Sequence, residues 1–558
     1  QSQFTTSLAA IGTALTATSF NGIPFYTDTG NQSMYTHDVS STDDGAAQNT
    51  AYGFQALESI TTGDDNTVIG FQAGEEITTG LENTLIGSSA GDALTTGDYN
   101  VAVGKSALSL EDQGSRSTAI GYGALAAQNV DGNVYNTAVG MLAGSAVTTG
   151  TKNTLIGGLA GVALTTGNYN IALGYNALGS EDGHGRNIAI GYNALATQNA
   201  GADAYNTAIG YSAGLAVTTG VKNIIIGGLA GDALTTGAEN VAIGYRALST
   251  EDAHGKNVAV GFQSLVSLNA GADAYNVAVG HSAGAEVTTG IKSTLVGALA
   301  GDALTTGWNN TAFGYAALSS EDAGSNNTAI GFEALTVQDA GADAYNVAVG
   351  HQAGRAVTTG AQNTILGGLA GDALTTGHYN VAIGYSALSA ENAHGANVAI
   401  GANALLTLDA GADGFNIAIG HDAGKSMTTG INNTIMGGLA GDAITSGSDN
   451  LVLGYNAGRA MTSAQQNTAI GVNAADAITT GTANVALGYN ALTASIDGDF
   501  NTALGYKALE DYEDGDGNGH NTAVGAKSQL NASTGEYNTS LGSLSMGSGV
   551  TTGDQNVA

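Results

Sequence analysis

The sequence repeats at two lengths, a short unit nested within a longer one. Residues 153–222 divide into four related segments of 17, 17, 19 and 17 residues, and equivalent 70-residue sets begin at Asn223, Ser293, Asn363 and Asn433. Each segment opens with Asn-x-Ala-(Ile/Val)-Gly or a close variant of it. A unit this short cannot bury its own apolar residues and has to stack on its neighbours. The repeat therefore predicts an all-β fold, a parallel β-solenoid built from rungs of 17–19 residues.

The opening of each segment has the pattern of a short β-strand with two apolar sides. In residues 188–190 two isoleucines flank Ala189, and successive side chains of a strand point to opposite sides. We expect Ile190 and its equivalents to fill the inside of the coil, and the small middle residue to approach another chain. A second apolar pair such as Ala177-Leu178, followed by a turn that is often Thr-Thr-Gly, indicates two short strands and two turns per rung.

An asparagine opens almost every rung, and a glycine follows it four positions later. Stacked rungs lie about 4.8 Å apart, so the asparagine side chains are expected to hydrogen-bond up the stack as a ladder. In the most regular set these residues are Asn153, Asn170, Asn187, Asn206 and Asn223. The glycine, for example Gly191, fits a bend at which a Cβ atom would clash. Both roles are structural.

The composition excludes several classes of binding partner and of chemical site. The chain has 47 Asp and Glu residues against 13 Lys and Arg, a net charge of −34, and such a surface repels nucleic acid and anionic membranes. No run of 18 apolar residues is present, so we expect no membrane insertion in this segment. With no cysteine, the chain forms no disulfide, thiolate nucleophile or Cys-ligated zinc site.

Three regions follow from the register of the repeat. Residues 1–48 lie outside it and are expected to cap the solenoid or to attach it to a larger particle. Residues 49–432 form the regular region with the 70-residue super-repeat, and residues 433–558 hold less regular rungs. The last three residues, Asn556-Val557-Ala558, are the start of another rung. We therefore expect the chain to continue beyond residue 558, with completion of the rung by another subunit as the alternative.

The repeated phrases also resemble those of known fibrous proteins. NTAIGYSA (206–213), NVAIGYRAL (240–248) and NVAVGHSA (276–283) resemble the head repeats of trimeric autotransporter adhesins of the YadA type. They are equally similar to the NTAIGYNAL repeats of phage tail-fibre shafts. The resemblance covers residues 49–558 and implies a left-handed parallel β-roll that assembles as a homotrimer around a shared axis. The rungs of this chain are longer than those of the adhesin heads.

The repeat and the resemblance together predict a structural shaft of an extracellular trimeric fibre that serves attachment. A phage-type tail or receptor-binding fibre of a virion is favoured, and a cell-surface adhesin head or a self-assembling extracellular filament is the alternative. The expected partners are further copies of the chain and a host-surface glycan or protein receptor. No enzyme activity is predicted, because the chemically interesting groups are copied along the chain whereas catalytic sites are normally singular.

Two repeated motifs are candidates for surface contacts. GADAY (201–205, 271–275 and 341–345) supplies the two extra residues of each 19-residue rung, and insertions into a solenoid point outward. The predicted ridge consists of Asp203, Tyr205, Asp273, Tyr275, Asp343 and Tyr345; packing within the rung is the alternative for the tyrosines. SEDGHG (180–185), TEDAHG (250–255) and AENAHG (390–395) place acidic residues and a histidine at one turn of successive sets. These turns are read as solvated, with a repeated weak glycan or ion contact as the alternative.

A calcium site is predicted near the C-terminal end. ASIDGDFN (494–501) and EDGDGNGH (513–520) place two Asp-Gly-Asp motifs in the same register on adjacent rungs. The candidate ligands are Asp497, Asp499, Asp514, Asp516 and Asn518. Four carboxylates this close repel one another unless a cation joins them, and the second motif copies the first half of a calcium loop. The closing glutamate is missing because residue 525 is glycine, and a wet acidic loop is the alternative. No other cofactor is predicted.

Overall fold

The computed structural model describes residues 19–20, 23–28, 30–37, 39, 42–513, 518–549 and 552–558. Every element assigned within these residues is a β-strand of two or three residues, and no helix occurs among them. It follows that none of the described segments is a helix long and apolar enough to cross a membrane. The all-β prediction is confirmed.

The chain divides into two units, and the first consists of Gln1–Gln263 and Gly271–Asp273. Before the repeat it contains β1 (Ser19–Phe20), β2 (Ile23–Pro24), β3 (Tyr26–Asp28) and β4 (Ser33–Tyr35). The repeat then provides β5 (Thr50–Tyr52), β6 (Thr67–Ile69), β7 (Thr84–Ile86), β8 (Val101–Val103), β9 (Gly114–Ser115), β10 (Thr118–Ile120), β11 (Gly132–Asn133), β12 (Thr137–Val139), β13 (Thr154–Ile156), β14 (Ile171–Leu173), β15 (Ile188–Ile190), β16 (Thr207–Ile209), β17 (Ile224–Ile226), β18 (Val241–Ile243) and β19 (Val258–Val260).

The second unit consists of Ser264–Ala270 and Ala274–Ala558. Its strands are β20 (Val277–Val279), β21 (Thr294–Val296), β22 (Thr311–Phe313), β23 (Thr328–Ile330), β24 (Val347–Val349), β25 (Thr364–Leu366), β26 (Val381–Ile383), β27 (Val398–Ile400), β28 (Ile417–Ile419), β29 (Thr434–Met436), β30 (Leu451–Leu453), β31 (Thr468–Ile470), β32 (Val485–Leu487), β33 (Thr502–Leu504), β34 (Thr522–Val524) and β35 (Thr539–Leu541).

Within each unit, consecutive rungs pair in parallel and in constant register. Ala172 of β14 lies opposite Ala189 of β15, and Ala189 lies opposite Ala208 of β16. In the second unit Ala348 of β24 lies opposite Ile365 of β25 in the same way. Equivalent positions of the repeat therefore stack into columns, and the predicted parallel β-solenoid of about 17-residue rungs is confirmed.

The prediction of which strand face points inward is wrong. The middle residue of β15, Ala189, is fully buried, whereas Ile188 and Ile190 on either side are only half-buried. Side chains later in the rung fill the space that the small alanine leaves, such as Leu195, which is also fully buried. The interior accommodates one side chain from each strand, and the two branched residues face outward.

Large and small residues alternate inside the coil. The middle strand residue of the first rung in each set is large, such as Leu155, and the position eight residues after the opening asparagine is then glycine. A Cβ atom on Gly161 would lie 2.9 Å from Leu155 Cδ2. Where the middle residue is Ala172, that later position is the fully buried Leu178. Close packing of this kind leaves little room for a change of volume.

The prediction of a second strand in each rung is also wrong. Leu178 lies in a turn and has a φ of +53°, the left-handed region, which an extended strand does not contain. Its N–H still donates to the Ala194 carbonyl oxygen of the next rung at 3.0 Å. The second apolar segment is thus hydrogen-bonded between rungs without being a strand.

Residues before the repeat form antiparallel pairs. β1 pairs with β2, and β3 pairs with β4. β4 in turn pairs in parallel with β5, the first strand of the repeat, and Tyr35 of β4 is 2% exposed. The prediction for 1–48 also concerns residues 1–18, 21–22, 29, 38 and 40–41, which lie outside the described residues.

Candidate functional site

The asparagine that opens each rung is buried and bonds one rung to the next. The Asn170 backbone N–H donates to Asn153 Oδ1 at 2.9 Å, and Asn153 Nδ2 donates to the Gly167 carbonyl oxygen at 2.9 Å. The same backbone-to-side-chain bond continues through Asn187, Asn206 and Asn223, at 2.8–3.1 Å. A direct bond between amide side chains occurs at other rungs, as from Asn66 Nδ2 to Asn49 Oδ1 at 3.1 Å. The column holds the rungs together: its side-chain oxygens accept from the next rung, although some amide nitrogens, such as Asn187 Nδ2, have no partner among the described residues.

The outward face of the strands is mainly apolar along each unit. On β14, Ile171 and Leu173 are 39% and 41% exposed, and on β32 Val485 and Leu487 are 36% and 41% exposed. These are the first and third strand positions: the third is apolar in every rung, and the first is Val, Ile or Leu in 13 of the 29 complete rungs and Thr in the other 16. Monomeric soluble proteins rarely expose a continuous apolar surface of this extent. The outward strand face is therefore the strongest candidate for an interaction surface.

Aromatic rings extend this apolar surface beyond the end of the strand. Tyr192 stacks on Tyr175 and Tyr211, with ring centroids 5.5 and 5.4 Å apart, and the rings of Tyr489 and Tyr506 are 5.6 Å apart. The glycine before each ring makes the bend. Gly191 has a φ of +137°, and a Cβ atom on it would lie 2.2 Å from the Gly210 oxygen. We define the outward stripe as the first and third strand positions and this ring position.

The carboxylates of the predicted ridge are engaged within the chain. Asp203 Oδ1 accepts a hydrogen bond from the Gly185 N–H at 3.1 Å, and its Oδ2 lies 2.6 Å from Arg186 Nη1. Asp273 forms the corresponding ion pair with Lys256 at 2.7 Å, and this contact holds the pKa of Asp273 below its usual value. These aspartates join the inserted residues to the preceding rung.

The tyrosines of the ridge remain accessible. Tyr205, Tyr275 and Tyr345 are 51%, 52% and 53% exposed. The Arg186 guanidinium lies 5.3 Å from the centre of the Tyr205 ring, and the Tyr345 hydroxyl donates to Asp343 Oδ2 at 3.3 Å. Contact of this ridge with a receptor stays a prediction.

Sequence reasoning missed a column of alternating tyrosines and cations at the position before the opening asparagine. Arg116 Cζ lies 5.1 Å from the ring centre of Tyr99 and 5.8 Å from that of Tyr135, and Lys152 Nζ lies 4.9 Å from that of Tyr169. All five residues have a φ of +57° to +67°. The sequence does contain a signal for this column, because six of the 13 Lys and Arg residues occupy this one rung position.

The buried glutamates are a second feature that sequence reasoning missed. Glu111, Glu181, Glu251, Glu321 and Glu391 recur every 70 residues and are fully buried. The interpretation of the three histidine turns as solvated is therefore wrong for Glu181, Glu251 and Glu391. Glu321 Oε1 accepts from the Gly324 N–H at 2.6 Å, and its Oε2 accepts from Gln338 Nε2 at 2.8 Å. Gln338 Oε1 accepts from Asn346 Nδ2 at 2.9 Å. This network satisfies a carboxylate inside an otherwise apolar column.

The three histidine turns place different groups around the buried glutamate. Glu181 Oε1 accepts from the His184 N–H at 3.1 Å and lies 3.4 Å from His184 Nδ1. The bond to glutamine seen at Glu321 is not made, and both Glu181 Oε2 and Gln198 Nε2 lack a hydrogen-bond partner among the described residues. Burial raises the pKa of Glu181. One ligand atom each from Glu181, Asp182 and His184 lie within 4.8 Å of one another.

The predicted calcium ligands are only partly visible. Asp514 and Asp516 lie outside the described residues. Asp499 Oδ1 accepts from the Thr482 N–H at 2.6 Å, and the backbones of Asp499 and Asn518 form a parallel bridge. The described residues bring no third acidic group to Asp497 and Asp499 at metal-ligand distances. Calcium binding at this end stays a prediction.

The role of Asp499 is repeated elsewhere in the chain. Asp98 Oδ1 accepts from the Leu81 N–H at 2.8 Å at the same rung position, 15 residues after the opening asparagine. The Asp499 contact is therefore part of the general bonding between rungs.

Comparison with known proteins identifies no relative for this chain. No protein-family model matches the sequence, and no curated protein matches it with significant similarity.

Proposed function

We propose that this chain forms the shaft of a homo-oligomeric fibre in which copies pack through their outward stripes. The observation that carries the proposal is the continuity of this apolar surface on each unit. Burial of apolar surface against another copy contributes about 25 cal/mol per Å². Because each rung repeats the same face, parallel copies match each other over many rungs.

The charge pattern supports a second copy as the partner of the stripe. The chain carries a net charge of −34, yet none of its 47 Asp and Glu residues occupies the three positions of the stripe. Two acidic chains repel each other through most of their surface. The stripe is the face at which they approach without bringing carboxylates together.

We further propose three copies around one axis in an extracellular fibre that serves attachment. The number three and the setting rest on the resemblance of the repeats to trimeric adhesin heads and phage tail-fibre shafts. We place a virion tail fibre before a cell-surface adhesin, because NIAIGYNAL (187–195) differs from the tail-fibre phrase at one position. Labelling of virions by an antibody against the shaft would support the tail-fibre setting. Labelling confined to the cell surface would favour the adhesin instead.

The packing surface is tested by adding charge to it. Leu173→Asp, Ile190→Asp and Ile209→Asp together place three carboxylates on successive strands of the stripe. The control, Thr166→Asp, Ala202→Asp and Thr219→Asp, adds the same charge at exposed sites on two of these rungs and on the rung just before them. Sedimentation velocity should show dissociation of the stripe variant alone. A stripe variant of unchanged mass would refute the proposed packing.

A further inference from the structure

Three of the five buried glutamates have a histidine three residues later, and these turns share one geometry. His Nδ1 lies 3.4 Å from Glu Oε1 in the turns of Glu181 and Glu251, and 3.5 Å in the turn of Glu391. A third carboxylate completes each group, so that three ligand atoms lie within 4.8 Å of one another. The third residues are Asp182, Asp252 and, from the following rung, Asp409.

Several buried polar atoms of these turns have no hydrogen-bond partner among the described residues. Nδ1 of His184, His254 and His394 is buried, and none of the three has a hydrogen-bond partner among the described residues. The side chain of Glu181 is 0% exposed, and its Oε2 also lacks a partner within the part of the chain that the structure describes. A buried polar atom without a partner is costly, and a bound ion is one group that would satisfy it.

We propose that each histidine turn binds one divalent ion of the zinc class. Zinc lies about 2.0–2.2 Å from imidazole nitrogen and carboxylate oxygen in tetrahedral sites, which places two such ligands roughly 3.4 Å apart. The Nδ1–Oε1 distances of the three turns match this distance between two ligand atoms of a tetrahedral site. A nitrogen ligand beside carboxylates suits zinc and other transition metals, whereas calcium and magnesium take oxygen ligands. Three protein ligands leave the fourth position for water.

The remaining glutamate turns lack the nitrogen ligand and so compare glycine with histidine on the same scaffold, although Glu321, Asp322 and Asp339 also bring three carboxylate oxygens within 4.8 Å of one another. Glu111 and Glu321 are followed at the third position by Gly114 and Gly324 instead of histidine. Their carboxylates bond to glutamine in the next rung, at 2.8 Å in both cases. Glycine at this position is thus compatible with a folded rung, and the zinc site requires the histidine. The inference is independent of the proposed fibre assembly.

Zinc titration of the full chain after removal of metals by chelation tests the proposal. We expect three zinc ions per chain, one fewer with each of His184→Gly, His254→Gly and His394→Gly, and none with all three. Cobalt should give the strong visible absorption of tetrahedral coordination in the wild type and lose it in the triple variant. The control is His351→Ala with His378→Ala and His421→Ala, which removes three histidines elsewhere and should retain three zinc ions.

Two outcomes would overturn the assignment. One is a wild-type chain that takes up no zinc, which would leave the turns as plain histidine–glutamate contacts. The other is zinc uptake that persists in the triple glycine variant, which would place the metal elsewhere. Circular dichroism of the triple variant shows whether the rungs are intact, and the turns of Glu111 and Glu321 indicate that they will be.

Discussion

The strand β17 presents the same side chain to two different environments. It consists of three isoleucines: Ile225 is fully buried, Ile224 is 43% exposed and Ile226 is half-buried. Composition and strand propensity are identical at the three positions, so geometry alone separates them. Two residues of each strand face outward for every one that faces inward, which explains how a folded chain keeps a large apolar surface.

The alternating pattern of the strands does not identify the buried face. Period-two alternation separates the two faces of a strand but does not say which one is inside. Alanine contributes little buried area, so the sequence pattern favours the branched residues as the core. In this narrow coil the small residue faces inward and leaves room for leucine from the rest of the rung. The apolar area on the outward face is available for packing between copies.

The largest effect is expected from a charge placed on either side of β15. Ala189→Asp puts a carboxyl group into the apolar interior, where it is driven to the neutral form, and burial of a neutral polar group without a partner costs about 2–7 kcal/mol. Hydrogen exchange should show loss of protection in β14, β15 and β16. Ile190→Asp on the outward face should retain that protection while it weakens assembly. Equal loss of protection in both variants would contradict the assignment of the faces.

A smaller effect is expected from truncation within β17. Ile225→Ala removes buried methyl groups and should lower the free energy of unfolding by about 2–5 kcal/mol. Ile224→Ala, measured under conditions in which the chains are dissociated, should cost less than about 1 kcal/mol because the side chain is already partly in water. Denaturant titration of both variants measures the difference. Similar costs would mean that the two positions do not differ in burial in solution.

The sequence sufficed for the features that depend on periodicity. Rung length, parallel stacking and the stacking of Asn153 above its equivalents follow from a repeat that brings like positions together. The buried glutamates were not predicted, because Glu181 stands beside Asp182 and Gly183 in a segment that is polar by composition. Only its distance from the opening asparagine places it in the column that holds Leu164 in the preceding rung. The polar contacts of the buried glutamates depend on how the rungs stack, and the sequence analysis therefore missed them.

The hydrogen-bonded polar groups inside the coil allow a third test of which side chains face inward. Gln338→Leu removes the Nε2 donor from Glu321 and the Oε1 acceptor from Asn346, and an unsatisfied buried group costs about 1–3 kcal/mol. The equivalent of Gln338 near Glu391 is Leu408, so leucine fits this position sterically. Thermal unfolding should show a lower midpoint for the variant. No change would mean that water reaches the carboxylate of Glu321.

The smallest expected effect concerns half-buried aspartates. Burial raises the pKa of Asp302, and its buried Oδ1 has no hydrogen-bond partner among the described residues. Because the folded pKa exceeds the unfolded value near 4, the ionised form destabilises the fold, and this penalty disappears as pH falls through the raised pKa. The melting midpoint should therefore rise slightly on mild acidification from neutral pH.

Asp302→Val is the matched variant for this pH effect. Val162 occupies the same rung position two 70-residue sets earlier, so valine at this position is compatible with the fold. It should reduce the rise in melting midpoint between neutral and mildly acidic pH. A variant with the same pH profile as the wild type would show that Asp302 is not the source.

The mass of the native particle in solution tests the central claim most directly. Light scattering coupled to size-exclusion chromatography measures it without assumptions about shape. If outward stripes pack against one another around one axis, the particle should have three times the chain mass over a wide range of dilution. A stable monomer with intact rungs would contradict the account, because the apolar stripe would then remain in water.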